Sequence, residues 1–323
     1  MQNNLSLPGL SLVALLISGV ASAQPYPTKT IRFVLPFSPG GGTDAVARTL
    51  GQKMTEQFGQ QVVIDNRGGV GGIVGVQMAV QAEPDGHTIM LGIPAVITVS
   101  PAVFKNLPFD PINDLSPVGF AGTSAYVLAL HPSLPVSSVK ALIALAKQKP
   151  GQLTYAGNSG GAGNQLAGEL FKSMTGINML HIPYKGGGPS LIAVLAGEAN
   201  MIFGSQLTVL PHIRTKRIRA LAVTSARRTA ALSDLPTIAE AGVPGYEIDV
   251  WYGVFVPKKT PQRIVEMLNQ NIVKTMNDAT VIASLSAQGM EARSSTPTEL
   301  AQRIQSETVK WAKLVKEAGI KGE

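Results

Sequence analysis

The stretch IRFVLPFSPGGGTDAVARTLGQKM, residues 31–54, decides the fold. Its first five residues, IRFVL, are apolar except for Arg32 and predict a β-strand. The segment SPGGG at 38–42 combines proline with glycines and predicts a tight turn. Val46, Leu50 and Met54 then recur every four residues, as the apolar side of a helix does. The stretch therefore predicts a strand, a glycine-rich loop and a helix in succession.

The same plan returns in the second half of the chain. The strand LTYA (153–156) precedes the glycine-rich residues 157–163, and Leu166, Leu170 and Met174 repeat the helical spacing. Both halves continue with a second strand, a helix and a third strand; these strands are VVI (62–64) and MLHI (179–182), then TIMLG (88–92) and NMIFG (200–204). Two β-α-β-α-β units predict an α/β fold with two lobes, each a mainly parallel sheet flanked by helices. Two such lobes enclose a cleft.

Glycines fall four times between the end of a predicted strand and the start of a helix, at 38–42, 66–69, 157–163 and 184–188. In open α/β sheets ligands bind at this edge. A helix start offers unpaired N–H groups and partial positive charge, which favour a carboxylate or phosphate. Asp44 and Asn164 occupy corresponding positions at two helix starts, and both can cap exposed N–H groups. The alternative is that the glycines only form tight turns.

Several classes of function are excluded by what these loops lack. None has the order of residues in a phosphate-binding P-loop or a dinucleotide fingerprint. The sequence has no cysteine, and its four histidines are scattered without the spacing of metal ligands. With 45% hydrophobic and 15% charged residues, the chain is not of the disordered class. We expect no cofactor and no metal.

One enzymatic alternative stays open at this stage. Gly157-Asn158-Ser159-Gly160-Gly161 matches the Gly-x-Ser-x-Gly pattern of a nucleophile elbow. A serine hydrolase using Ser159 would also need an acid and a base, for which Glu169 or Glu198 and then His212 stand in the required order. In an elbow, however, the helix follows the serine at once, whereas here further glycines delay it.

The first residues predict export. Residues 10–20, LSLVALLISGV, are apolar over the length of a signal peptide, and Ala21-Ser22-Ala23 forms a small-x-small cleavage pattern. We expect residues 1–23 to be a signal peptide cleaved after Ala23, and the mature protein to be exported and not membrane-spanning. The net charge of +7 suits small anions or simple solubility. Its densest basic run, at 214–219, has no interleaved aromatic residues to stack bases, so nucleic acid is not an expected partner.

Six stretches resemble the solute-binding proteins of tripartite tricarboxylate transporters, the Bug family of periplasmic receptors, over essentially the whole mature chain. They are YPTKTIRFVLPFSPGGGTD (26–44), DNRGGVGG (65–72), PYKGGGPSL (183–191), RALAVTSARR (219–228), LPTIAEAGVPGYE (235–247) and WYGVFVPKKTP (251–261). The resemblance implies a Venus-flytrap fold without catalysis. It also implies a monomer that captures a small carboxylate (a di- or tricarboxylate, an aromatic acid or an amino acid) for a membrane permease. A role as ligand sensor for a signalling partner is the remaining alternative.

The resemblance also implies the domain bounds and the ligand-binding residues. Lobe 1 would comprise residues 24–123 and 250–323, and lobe 2 residues 124–249. The chain would return to lobe 1 through WYGVFVP (251–257), the returning segment. Main-chain N–H groups of two loops would hold a ligand carboxylate, and a third loop and the returning segment would face them; the residues are Ser38, Gly40, Gly41, Gly42, Thr43 and Asp44, then Asn158, Ser159, Gly160, Gly161, Ala162, Gly163 and Asn164, then Tyr184, Gly187, Pro189, Ser205 and Trp251.

Three positions qualify this transfer. Trp251 would wall the cleft, or else belong to the buried core. Gln165 stands where the family often has histidine. Arg67 and Lys185 are the only cations in the four glycine loops, and we interpret Arg67 as structural because a ligand held by backbone dipoles does not require it. For the end of the chain, residues 261–277 and 297–318 predict helices that pack on lobe 1 or brace the hinge. The second has an apolar stripe on one face and Gly319 after its end; the stripe comprises Leu300, Ile304, Trp311 and Val315.

Overall fold

A computed structural model describes residues 26–37, 39, 42–158, 160–184 and 186–321. The predicted signal peptide, residues 1–23, lies outside them. Within them the strands are β1 (Ile31–Leu35), β2 (Val62–Asn66), β3 (Thr88–Gly92), β4 (Leu115–Leu130), β5 (Thr154–Asn158), β6 (Leu180–Tyr184), β7 (Met201–Ser205), β8 (Arg219–Val223), β9 (Asp249–Pro257) and β10 (Met290–Glu291). The α-helices are α1 (Gly42–Phe58), α2 (Ile73–Val80), α3 (Ser100–Val103), α4 (Val139–Gln148), α5 (Gly163–Thr175), α6 (Gly187–Leu195), α7 (Gln206–Arg214), α8 (Gln262–Met276), α9 (Ala279–Ala287) and α10 (Pro297–Ala318).

The first half forms the predicted β-α-β-α-β unit. Strand β1 lies between β2 and β3 and is parallel to both, with Phe33 opposite Ile64 on one side and Ile89 on the other. Its side chains are buried on both faces of the sheet, because Phe33 packs against α1 and Val34 packs against α2. Burial on both faces explains why four of the five residues of IRFVL are apolar, whereas Arg32 is partly buried and pairs with Asp65 on the neighbouring strand.

The second half repeats the arrangement. Strand β5 lies between β6 and β7 and is parallel to both, with Tyr155 opposite His181 and Met201. The predicted third strand, 200–204, is displaced by one residue and ends at Ser205. The α/β class with two such units is confirmed. Along the predicted stripe of α5, Leu166 is fully buried but Met174 is 41% exposed, so that stripe fades before the end of the helix.

Two long antiparallel strands join the halves, giving the order β2-β1-β3-β9-β4-β7-β5-β6. Strand β4 pairs with β9 as far as Ala125, which lies opposite Asp249. From Tyr126, opposite Ser205, it pairs with β7 of the second half. Strand β9 contains the predicted returning segment. The motif analysis did not single out β4, although this strand passes through both halves.

Helix α10 contributes to the cores of both halves. Leu300 and Ile304 pack with Trp251 in the core of the first half. Further along the same helix, Trp311 and Leu314 belong to the core of the second half, together with residues of α4 and α5. The predicted helices at 261–277 and 297–318 are confirmed as α8 and α10. Packing on lobe 1 and bracing the hinge were posed as alternatives, and α10 contacts both halves.

A buried carboxylate fastens α10 to the crossing strands. Glu307 is 4% exposed, and its Oε2 accepts hydrogen bonds from the indole nitrogens of Trp251, at 2.9 Å, and Trp311, at 3.3 Å. Its Oε1 accepts from Nε of Arg303 at 2.6 Å. Arg303 also donates to Asp249 at 2.8 Å. Burial raises the pKa of Asp249 to about 6, although the adjacent Arg303 opposes that shift.

Candidate ligand-binding site

The glycine loops lie where parallel strands end and helices begin. Strand β5 ends at Asn158 and α5 begins at Gly163, while α6 begins at Gly187 shortly after β6 ends. In the first half α1 begins at Gly42, after β1. The first N–H groups of a helix have no acceptor within the helix and carry partial positive charge. Each half therefore presents main-chain N–H donors at the carboxyl ends of its parallel strands, where the sequence predicts that an anion binds.

In the first loop, side chains tie the start of α1 to the neighbouring strand. Thr43 and Asp44 are buried, at 8% and 6% exposure. Asp44 accepts a hydrogen bond from Nδ2 of Asn66 at 3.1 Å and pairs with Nε of Arg48 at 2.9 Å. Asn66, the last residue of β2, also donates to the carbonyl of Phe37 at 3.2 Å. Three predicted residues of this loop lie outside the described part of the chain: Ser38, Gly40 and Gly41.

The second loop is held at both of its ends by residues of the helix that follows it. The N–H of Asn158 donates to Oδ1 of Asn164 at 3.2 Å, and Nδ2 of Asn164 donates back to Oδ1 of Asn158 at 3.1 Å. The N–H of Gly161 donates to Oε1 of Gln165 at 2.9 Å. Gly160 and Gly161 both have positive φ, 71° and 78°, which side chains resist. Ser159 lies outside the described residues.

The capping role predicted for Asn164 is wrong in detail. Ala162 occupies the N-cap position of α5 and makes no side-chain cap, while Asn164 lies inside the first turn. The oxygen of Asn164 accepts the N–H of Gln165 and, across the loop, that of Asn158. Asn164 therefore holds the loop closed rather than only ending the helix. Asp44, its counterpart, also lies inside its helix and binds Arg48.

The remaining predicted residues surround the third loop and the end of β7. Tyr184 ends β6, and Gly187 and Pro189 lie in the first turn of α6. Ser205 is the N-cap residue of α7, and its hydroxyl lies 2.6 Å from that of Thr208. Lys185 lies outside the described residues. Arg67 pairs with Asp65 at 2.7 Å on the surface, in line with its interpretation as structural.

Two tyrosines that the motif analysis missed lie under the starts of the paired helices. A methyl group in place of the Gly163 hydrogen would lie 1.9 Å from the hydroxyl of Tyr126, and one at Gly42 would lie 3.0 Å from the hydroxyl of Tyr252. Tyr126 is on β4 and Tyr252 on β9, on the same face of the sheet since Ser124 is paired with Val250. The same Gly42 position is 3.5 Å from Leu207 in the other half. The two helix starts thus converge on the crossing strands.

The chemistry of these tyrosines suits an anion. Burial raises the pKa of both phenols well above the usual range, so both hydroxyls stay neutral donors at physiological pH. Neither hydroxyl has a hydrogen-bond partner within the described part of the chain. No glycine motif points to them. The available signal in the sequence was strand alternation, which places Tyr126 on the same face of β4 as Ser124, two residues earlier.

Trp251 has a different position from the one predicted beside a ligand. It is 1% exposed, and strand alternation turns it to the face opposite its neighbour Tyr252. Its ring contacts Phe120 and Phe255, and its indole N–H donates to Glu307. The core alternative therefore describes its surroundings, and Tyr252 is the aromatic residue of this segment that approaches the glycine loops.

The acid and the base of the hydrolase alternative do not contact each other in the described structure. His212 lies in the last turn of α7, with its Nδ1 3.4 Å from Arg217. Glu169 instead accepts hydrogen bonds from Tyr155, at 2.7 Å, and Lys172. Neither Glu169 nor Glu198 contacts His212 among the described residues. That part of the chain also contains no cluster of side chains suited to a metal ion and no helix that could cross a membrane.

Comparison with known proteins identifies the family of this chain. The profile described as "Tripartite tricarboxylate transporter family receptor" matches residues 46–320. The protein BugT of Bordetella pertussis is 35% identical, over 98% of each chain. R. palustris Rpa4515 with adipate has a TM-score of 0.83 and 36% identity, covering 92% of this chain and 99% of its own. MatC from Rhodopseudomonas palustris with bound malate has a TM-score of 0.78 and 27% identity, covering 90% and 100%. This chain belongs to the receptor family of the tripartite tricarboxylate transporters, a class of periplasmic solute-binding proteins.

Proposed function

We propose that this protein captures a small dicarboxylate between its two halves and delivers it to the permease of a tripartite tricarboxylate transporter. Family membership supports the receptor role, and similar structures hold adipate and malate. The observation that carries the proposal is the convergence of α1 and α5 on two neutral tyrosine hydroxyls, those of the partly buried Tyr126 and the buried Tyr252. Main-chain N–H groups and phenols are all hydrogen-bond donors, and an anion that lacks donors of its own is their natural complement.

One carboxylate of the ligand would lie between the loops at 38–44 and 158–164, near Tyr126 and Tyr252. The buried carboxylate of Asp44 does not oppose this, because Arg48 neutralises it and Asn66 donates to it. The opposite end of the ligand would face the third loop and the end of β7, where the predicted residues are Tyr184, Gly187, Pro189 and Ser205.

Closure of two lobes would couple binding to delivery. We propose lobe 1 as residues 24–123 with 250–323 and lobe 2 as 124–249, with β4 and β9 as the connection. A ligand that contacts both lobes makes all of its contacts only when they are closed, so binding shifts the population toward closure. The permease would then recognise the closed form. The mature protein would act as a periplasmic monomer after cleavage behind Ala23, and it would not be an enzyme.

Titration calorimetry of residues 24–323 with adipate and malate tests this proposal. The expected result is saturable binding of at least one acid, weakened about fivefold by Tyr126→Phe and by Tyr252→Phe, since each removes one hydrogen bond of about 1 kcal/mol. Tyr26→Phe is the matched control, because its hydroxyl donates to the carbonyl of Gly86 at 2.7 Å, away from the loops. Equal loss of affinity in all three variants, or no binding of either acid, would count against this site.

A further inference from the structure

The second glycine loop is connected to a histidine through one side chain. Gln165, in the first turn of α5, accepts the N–H of Gly161 with Oε1 at 2.9 Å. Its Nε2 then lies 3.5 Å from Nδ1 of His181 on β6. Because a main-chain N–H can only donate, the oxygen of Gln165 must face Gly161 and the NH₂ group must face His181. The orientation of this amide is therefore fixed by its neighbours.

That orientation also fixes the state of the histidine. An NH₂ group can only donate, so Nδ1 of His181 must be the unprotonated acceptor and Nε2 carries the proton. The ring is stacked on Tyr155, with centroids 4.9 Å apart, so it cannot turn freely. Its Nε2 is enclosed and has no hydrogen-bond partner among the described residues. The contact between Gln165 and His181 exists only while the imidazole is neutral.

We propose that Gln165, oriented by His181, is the positioning residue of the second loop, and that acid weakens ligand binding by protonating His181 and releasing Gly161. This inference rests on the proposed function, because it assigns a role to a residue beside the proposed site. Protonated Nδ1 becomes a donor facing the NH₂ group of Gln165. The amide must then turn, which brings a second donor toward the N–H of Gly161, and the loop loses its anchor.

The charges around the ring are compatible with this switch. Burial lowers the pKa of His181, and Lys172 on α5 acts in the same direction. The carbonyl of Gly157 on β5 and the carboxylate of Glu169 on α5 oppose the shift. Tyr155 stays neutral, because burial and the adjacent Glu169 raise its pKa. His181 is therefore neutral at physiological pH, and the loop is anchored there and released only in acid.

The first experiment follows the amide signal of Gly161 by NMR in the ligand-free protein from about pH 8 to about pH 4, because burial lowers the pKa of His181 below the usual histidine value. The expected result is a shift of this signal with the protonation of His181. His181→Phe keeps a ring to stack on Tyr155 but cannot titrate, so the transition disappears. Gln165→Leu leaves Gly161 without its acceptor, and its amide exchanges about tenfold faster with solvent. A Gly161 signal that ignores the protonation of His181 would overturn the proposal.

The second experiment measures adipate affinity over the same pH range. Gln165→Leu is expected to weaken binding about fivefold at the alkaline end, the effect of one lost hydrogen bond. The affinity of the wild type is divided by that of His181→Phe at each pH, because the titration of adipate itself affects both proteins equally. This ratio should fall as the pH falls. Gln165→Glu offers an acceptor both to Gly161 and to protonated His181, so its affinity relative to His181→Phe should rise with acid. A constant ratio in the wild type would overturn the proposal. Absence of adipate binding would count against the proposed function alone, since the amide measurement needs no ligand.

Discussion

The buried carboxylate of Glu307 offers the sharpest test of how the two halves are held together. Glu307→Gln keeps the size of the side chain but replaces one acceptor oxygen by a donor. If the remaining oxygen faces Trp251 and Trp311, the new NH₂ group faces Nε–H of Arg303. The reverse orientation turns the NH₂ group toward the two indole N–H groups. Either way two donors face each other in a buried site: the first orientation loses the charge-assisted hydrogen bond of 2.6 Å from Arg303, and the second loses the hydrogen bonds from Trp251 and Trp311.

The magnitude follows from these contacts. A hydrogen bond to a charged group contributes about 1.5–3 kcal/mol, and leaving a buried donor unsatisfied costs about 1–3 kcal/mol. Arg303 keeps its hydrogen bond to Asp249 at 2.8 Å, which limits the damage. We expect Glu307→Gln to lower the free energy of unfolding by about 3 kcal/mol, the lower end of the range for breaking a buried ion pair.

Urea denaturation followed by far-ultraviolet circular dichroism measures this loss over the whole fold. The fluorescence of Trp251 and Trp311 reports separately on the network, because both indoles bind Glu307. The matched control is Glu317→Gln on the same helix, whose carboxylate is 3.9 Å from Lys313 with both side chains exposed. We expect that control to change stability by less than about 0.5 kcal/mol. If the two variants lose the same amount, the reasoning about burial is refuted.

Three further predictions concern Asp249 on β9, the second loop and α10. Burial raises the pKa of Asp249 to about 6, so folding favours its protonated form, and the stability of the wild type should fall as the pH rises from about 4 to about 6. Asp249→Asn should reduce this dependence on pH. Equal pH dependence of the two proteins in urea denaturation would contradict the prediction. Gly163→Ala places a methyl group 1.9 Å from the hydroxyl of Tyr126 and should lower the free energy of unfolding by about 1–3 kcal/mol. In the control Gly188→Ala the new methyl group has no atom within 4 Å. Identical thermal unfolding of the two variants would disprove the clash. Thr296→Ala removes the capping box of α10 and should cost about 1 kcal/mol in urea denaturation, and no measurable loss would mean that packing alone fixes the start of that helix.

The two β-α-β-α-β units could be predicted because their signals are local. A mainly apolar segment such as IRFVL, a glycine turn and an apolar residue at every fourth position specify strand, loop and helix without reference to distant residues. Helix α10 was predicted for the same reason, with its stripe from Leu300 to Val315 and Gly319 after its end. All four predicted residues of that stripe, Leu300, Ile304, Trp311 and Val315, are buried.

The roles of Tyr126 and Tyr252, and the choice between the two positions considered for Trp251, could not be predicted in this way. Which face of β9 meets the glycine loops depends on its register with β4, and that register includes irregular steps between Pro117 and Gly119 and between Phe120 and Thr123. A shift of one residue exchanges the two faces of a strand. The choice between Trp251 and Tyr252 is therefore a property of strand pairing, which the order of residues along one strand does not express.

The position of α10 in both cores has a consequence for when the protein can fold. Leu300 and Ile304 complete one apolar cluster, and Trp311 and Leu314 complete another that begins more than a hundred residues earlier in the chain. Neither cluster is finished until the last helix has been synthesised. A growing chain therefore carries two incomplete hydrophobic surfaces for almost the whole of translation, and a chain that stops short of residue 297 lacks part of both. The hydrophobic core of each half can therefore be completed only after nearly the whole chain has been synthesised.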